Sequence, residues 1–395
     1  MHLLFATSIV PDGNSGSGYE IGNAAMLDAL RRSGARVTVL GYCWPGKKPA
    51  DPEDAIVLGE IDVRTDGASA LRKVGWLMRA VAANIPFSSA KVAAAPVEQI
   101  RKALREAGPF DGYIMNSVQF AGAYEGVFDD LPSIFIAHNV EHVSAMQNAE
   151  AAHTKFQRYL FRREAALLKK LEKRLCDKAR FIFTVAEEDR APLGIDSPDR
   201  SIALTLSTRA TPPLPPARRE VDYDAALIGT WTWQPNRIGL EWFLDEVTPH
   251  LDPDFQIRIA GFVPEDIKPS HPGVRLVGRV PDAQEFIQRA AVIPLISRAG
   301  TGVQLKTIET FELGLPSVAT SSSLRAIDKI PTNCYPTDDP KTFAQALQTM
   351  ARERTPDVDG RAFFASQRLA LDKRVRFGLS RAGLAPDYQH SELSA

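Results

Sequence analysis

Between Gly300 and Thr320 the chain reads GTGVQLKTIETFELGLPSVAT. A strand-like run, Val292–Ile296, enters a loop with two glycines, and a helical stretch over Leu305–Glu312 follows. Glycines ahead of a helix let backbone N–H groups approach an anion, and a helix N-terminus favours negative charge. Gly300, Thr301 and Gly302 would supply that loop, with Lys306 in the first turns of the helix, in reach of a phosphate. Glu309 is three residues on and shares its face. Its carboxylate can accept two hydrogen bonds from a vicinal diol such as a ribose. The plainer reading of the same residues is a loop–helix join with a surface Lys–Glu pair.

A second segment, GTWTWQPNRIGLEWFL over 229–244, is a strand end, a loop and a helix. Arg237 suits a diphosphate, because a guanidinium binds phosphate through paired N–H groups; it could equally be an exposed loop arginine. Trp231 and Trp233 could pack against a ligand, although tryptophan is more often core or interface. Gly278–Asp282, GRVPD, places Arg279 and Val280 between a strand and a helix, with Asp282 as an N-cap. Near the N-terminus, Asp12 leads into a glycine loop containing Gly16, Gly18 and Gly22. Its spacing is not a dinucleotide fingerprint, whose first glycine follows its strand directly. Residues 138–142, His-Asn-Val-Glu-His, spell the H-x-x-E-H of an inverted zinc-peptidase motif, which would need His138 inside a helix. His138 instead ends the strand-like run Ser133–Ala137. Asn139 and Glu141 are secondary candidates there, and His142 reads as structural.

The elements that must carry these residues alternate. Strand-like runs at Leu3–Thr7, Val37–Leu40, Gly112–Asn116, Ser133–His138, Phe181–Ala186 and Ile202–Leu206 are nearly continuously apolar, as strands buried on both faces are. Helical stretches at Ile21–Ser33, Ala68–Ala83, Pro96–Ala107 and Thr154–Lys178 separate them. Proline-rich residues 207–222 read as a linker. The alternation then restarts with strands at Ala225–Thr230, Gln256–Gly261, Val274–Gly278, Val292–Ile296 and Ser317–Thr320. Helices fit at Gly239–Glu246, Asp282–Ala291, Leu305–Glu312 and Lys341–Arg352. This predicts two α/β domains with parallel sheets, over 1–210 and 220–355, with ligands bound beyond the carboxyl ends of strands.

These segments, in this order, resemble the GT-B nucleotide-sugar glycosyltransferases, especially the large retaining family 4. There a glycine loop and a lysine hold the diphosphate and a glutamate holds the ribose; Lys306, Glu309, Gly314, Pro316 and Val318 follow that signature. The resemblance implies two Rossmann-like domains facing across a cleft, with a last helix near 360–380 returning to the N-terminal domain. It implies that His138 faces the donor sugar, that Arg237 and Lys306 stabilise the leaving diphosphate, and that Arg279 and Val280 lie at the base. Gly16 and Gly18 then border the diphosphate and the acceptor. The family's second glutamate is replaced here by Thr301, and an arginine after the strand glycine by Thr230. The implied reaction moves a sugar from a nucleoside diphosphate sugar to a glycan or lipid-linked acceptor in bacterial surface-polysaccharide synthesis, with retention and without a metal or other cofactor. An inverting enzyme would need a base, for which Asp12 and Glu141 are candidates. The competing readings are a non-catalytic two-domain binding protein, a silent transferase-like subunit, and a zinc hydrolase through His138 and His142.

Length and charge set the outer bounds. With 395 residues and a formal net charge of −1, the chain exceeds one ordinary core and lacks the basic excess of a nucleic-acid binder. Its three cysteines, Cys43, Cys176 and Cys334, form no metal-spaced pair and fit a reducing, cytoplasmic setting. The N-terminal MHLLFATSIV lacks a basic flank and reads as a first strand rather than a signal peptide. Residues 153–180 hold ten Lys and Arg against three acids, with Phe156, Leu160, Leu167, Leu168, Leu171 and Leu175 at helical spacing. Such a face suits the cytoplasmic side of an inner membrane, and Trp76, Leu77, Met78 and Val81 would extend it, although a solvated face on a core-packing helix is the commoner case.

Overall fold

The computed structural model describes residues 1–13, 18–65, 67–152, 154–214, 219–388 and 391–394. Two compact units emerge: Met1–Leu206 with Leu369–Ala395, and Ser207–Arg368. No helix among the described residues is long and apolar enough to cross a membrane.

The first unit is built on seven strands: β1 (His2–Ile9), β2 (Arg36–Cys43), β3 (Ala55–Glu60), β4 (Gly112–Asn116), β5 (Ser133–Ala137), β6 (Phe181–Thr184) and β7 (Ser201–Ala203). All pair in parallel, in the order β3-β2-β1-β4-β5-β6-β7. Chain order reverses between β1 and β4, where open α/β sheets leave a crevice beyond the strand ends. The central strands are buried along their whole length, and Phe5, Ile114, Phe135 and Phe181 are essentially inaccessible. The apolar runs in the sequence have this cause. β3 carries an exposed edge and so lacks the apolar signal; the sequence reading missed it.

The second unit has β8 (Tyr223–Ile228), β9 (Ile257–Ala260), β10 (Val274–Gly278), β11 (Ala290–Leu295), β12 (Ser317–Ala319) and β13 (Cys334–Pro336). They are parallel in the order β10-β9-β8-β11-β12-β13, with the reversal between β8 and β11. β13 is a short, largely exposed edge that ends in proline, and it too escaped the sequence reading. Residues 234–242 form a helix that begins five residues before the expected Gly239 and continues as a π-turn to Val247.

The last long helix, Gly360–Arg381, begins in the second unit, and from Leu369 onward it packs in the first. There Phe377 meets Phe181 edge-on with ring centroids 5.7 Å apart. Arg32 grips Asp372 through Nε at 3.0 Å and Nη2 at 2.6 Å. A bidentate guanidinium–carboxylate pair of this kind fixes orientation as well as distance.

Candidate functional site

In the first unit a polar cluster lies at the reversal between β1 and β4. Thr7 is on β1, Asn116 ends β4, and Tyr19 and Asn23 come from the helix Gly18–Arg32. Thr7, Asn23 and Asn116 are buried almost completely. Asn116 Nδ2 donates to Asn23 Oδ1 at 2.7 Å and to Thr7 Oγ1 at 3.2 Å, and the Thr7 and Tyr19 hydroxyls lie 2.8 Å apart. This leaves Asn116 Oδ1 as an acceptor, and His138 Nε2 meets it at 2.6 Å. An amide oxygen only accepts, so Nε2 carries the proton. Burial holds the His138 imidazole near a pKa of about 4, so the ring is neutral at pH 7. The next residue after Asn116, Ser117, has φ +75° without being glycine, a strained backbone at the strand end.

His138 lies just past β5 and before the helix Glu141–Glu150, so H-x-x-E-H does not share one helix face. Glu172, 2 % exposed, accepts from Glu141 N at 2.7 Å and His142 N at 3.2 Å, and pairs with His142 Nδ1 at 2.6 Å. It thereby caps the otherwise uncapped start of that helix. His142 is committed to this cap, and no group of three or more metal-ligating side chains occurs among the described residues. The Glu141 carboxylate accepts from Gln119 Nε2 at 3.2 Å and from the Asn139 side chain. Burial, and then the neighbouring Glu172, push its pKa upward. Asp12 lies in the loop after β1, and its charge helps raise the Cys43 thiol after burial and Glu60. Gly18 opens the helix Gly18–Arg32, whereas Gly16 lies outside the described residues.

In the second unit, Lys306 and Glu309 line one pocket beyond the ends of β8 and β11, together with Trp231, Asn236, Gln304 and Ser323. Lys306 Nζ sits 5.1 Å from the centroid of the Trp231 ring, and the indole is locked by Nε1–H donation to Ala260 O at 2.8 Å. A Cβ on Gly229 would lie 2.8 Å from Nζ, so only glycine leaves the amine this position. Burial lowers the ammonium to about 8, with Glu309 opposing the shift. Gly300 and Gly302 both take left-handed φ, +99° and +76°, which turns the loop into the helix Leu305–Glu312. Thr301 lies between them, half-buried.

Glu309 accepts from Gln284 Nε2 at 2.9 Å, and Gln284 Oε1 accepts from Arg209 Nη1 at 2.9 Å. Burial raises the Glu309 carboxyl, and the Gln284 hydrogen bond and Arg209 hold it back. The segment read as linker is therefore tied down at its start. Glu312, fully buried, accepts from Ser207 Oγ at 2.6 Å and from the Thr208 amide and hydroxyl.

Arg237 is drawn to carboxylates in the unliganded structure. Its guanidinium binds Glu241 Oε1 at 2.7 Å and Asp266, and it is not among the residues lining the Lys306 pocket. The helix of residues 234–242 carries it, and both carboxylates belong to the same unit. Trp233 is half-exposed, whereas Trp231 is 2 % exposed. Arg279 is exposed and Val280 half-buried in the turn after Gly278, and Asp282 caps the next helix through Gln284 N at 2.8 Å. Asn116, Asn23, Arg209 and Gln284 were not singled out from sequence. A polar residue closing the apolar run Gly112–Asn116 was the one available signal.

Residues 224–353 match the family model described as glycosyl transferases group 1. No curated protein matches the sequence. Among solved structures, sucrose-phosphate synthase from Thermosynechococcus elongatus superposes with a TM-score of 0.61 at 13% identity, over 97% of this chain and 96% of that one. Anabaena HepE in complex with UDP-glucose gives 0.58 at 11% identity, over 96% and 99%. TarM gives 0.56 at 10% identity, over 97% of each chain. At these identities the likeness carries the fold. The chain therefore has the GT-B fold of two Rossmann-like units, and its second unit matches the group 1 glycosyl transferases from residue 224 to residue 353.

Proposed function

We propose that the protein is a glycosyltransferase whose second unit holds a nucleoside diphosphate sugar. The observation that carries this reading is the pairing of Lys306 and Glu309 in one pocket at the β8–β11 reversal. The lysine faces a leaving diphosphate and stabilises its developing charge, and the carboxylate takes the ribose diol. The complexes of HepE with UDP and with UDP-glucose support a uridine diphosphate sugar as the first donor to test. The first unit takes the acceptor, a glycan or lipid-linked glycan of surface-polysaccharide assembly at the cytoplasmic face of a membrane. His138, neutral with its proton on Nε2, presents a hydrogen-bonding ring to the sugar. Retention follows the family 4 resemblance, and Lys306 supplies the positive charge a metal would otherwise bring.

A thermal-shift screen with UDP-, GDP- and ADP-sugars, followed by transfer assays with and without EDTA, tests this directly. Stabilisation by one donor that Lys306→Ala abolishes supports the reading. No shift with any donor, or an equal shift in Lys306→Ala, overturns it.

A further inference from the structure

The pocket beyond β8 and β11 carries its positive charge on one side chain. Among the described residues that line it, Lys306 is the sole cation and Glu309 the sole carboxylate. Thr230 stands where the resemblance would place an arginine, and Arg237 is held by Glu241 and Asp266. Whatever fixes the Lys306 ammonium therefore fixes the charge that a diphosphate would meet.

Trp231 lies against that ammonium. Its indole is 2% exposed, and Nε1–H donation to Ala260 O at the end of β9 sets the ring plane. Lys306 Nζ lies over the ring, 5.1 Å from its centroid, within the distance at which the negative face of an aromatic ring attracts a cation. Gly229 keeps the space open: a Cβ there would lie 2.8 Å from Nζ and 3.2 Å from the indole. Among the described residues no hydrogen bond or ion pair engages Nζ. Glu309 acts on it through its charge, while Glu309 Oε1 accepts from Gln284. Asn236, Ser297, Gln304 and Ser323 complete the polar lining and are uncharged.

Burial and the ring oppose each other. Burial lowers the ammonium to about 8, whereas a cation over an aromatic face is favoured in its charged form, most of all where water is excluded.

We propose that Trp231 is a positioning residue for diphosphate binding: the face of its indole holds the Lys306 ammonium at the pocket. The role in binding rests on the nucleoside diphosphate reading, whereas the state of Lys306 is measured without a ligand. In the full chain, lysines labelled with carbon-13 at Cε are titrated by NMR from pH 6 to pH 10.5, the Lys306 signal being the one lost in Lys306→Arg. Trp231→Leu should lower the Lys306 midpoint by about one pH unit, and Trp231→Phe, which keeps an aromatic face, by less than half as much. Packing alone gives the opposite sign, because a smaller side chain admits water and relieves the burial that lowers the midpoint. A midpoint unchanged or raised in Trp231→Leu overturns the proposal. Where Trp231→Leu fails to fold, 5-fluorotryptophan in place of tryptophan throughout the chain keeps the ring's shape and weakens its negative face. The midpoint should then fall by about 0.3 of a pH unit, and no fall overturns the proposal.

Calorimetry with UDP separates positioning from general damage. Trp231→Leu should bind UDP nearly as wild type does at pH 6, where Lys306 is charged in both, and about eightfold more weakly at pH 8.5. An equal loss at both pH values overturns the positioning role. A wild-type chain that binds no UDP at either pH counts against the donor reading, and the lysine titration still decides the contact between Trp231 and Lys306.

Discussion

His138 Nε2 lies 2.6 Å from the side-chain oxygen of Asn116, which ends the neighbouring strand β4. Asn116 in turn is oriented by its own donation to Asn23 and Thr7. A buried acceptor therefore sets the tautomer of a buried imidazole. Asn116→Leu removes the acceptor and leaves an unpaired donor, worth about 1–3 kcal/mol, so transfer should fall roughly ten- to hundredfold. Steady-state kinetics should place the loss in kcat, with donor KM little changed. Asn116→Asp keeps an acceptor and should recover part of the rate. A loss equal in both variants would assign Asn116 to packing alone.

The same burial gives His138 a signature in stability. Its pKa falls from 6.5 to about 4 on folding. Below pH 6.5 the unfolded chain takes up a proton that the folded ring refuses, so stability is lost as pH falls from 6.5 to about 4 and levels off below. The contribution is on the order of 3 kcal/mol. Urea denaturation of wild type and His138→Asn at pH 7.5 and pH 5 should show the variant losing less stability between the two. Parallel behaviour would mean the ring is not protected from protonation.

Lys306 predicts the opposite limb. Its ammonium is held near 8 in the unliganded protein, and a diphosphate needs the charged form. Affinity for UDP should be constant below pH 7.5 and weaken above pH 8, by up to about tenfold per unit. Calorimetric titration between pH 6.5 and 9.5 measures it. Lys306→Arg keeps its charge throughout and should flatten the profile.

Gln284 joins Glu309 to Arg209, and its removal separates ribose binding from phosphate binding. Gln284→Leu should weaken UDP about tenfold, the worth of one hydrogen bond to a charged group, and leave pyrophosphate affinity unchanged. Equal losses for both ligands would show that the helix as a whole had moved.

Glu172 predicts a purely structural effect. It caps the helix Glu141–Glu150 and holds His142 from a site 2 % exposed. Glu172→Ala should cost about 3 kcal/mol in urea denaturation, through uncapped amides and an unpaired imidazole. Zinc content should be nil in both proteins; bound zinc lost on His142→Ala would revive the hydrolase reading.

The sequence by itself determined the strand-buried α/β alternation, since strands covered on both faces must be apolar along their length. It also determined the glycine loop and the Lys306–Glu309 spacing, because both depend on neighbours within one helical turn. It was blind to β3 and β13, whose exposed edges need no apolar pattern. Only the tertiary structure decided the long-range partners. It brought Asn116 to His138 across two strands, and Arg209 from a proline-rich stretch to Gln284. It also gave Arg237 to Glu241 and Asp266, and it turned Trp76 inward while Leu71 and Met78 faced out. A side chain's type states which bonds it can make; which of them it does make depends on groups that only the packing of distant elements brings within 3 Å.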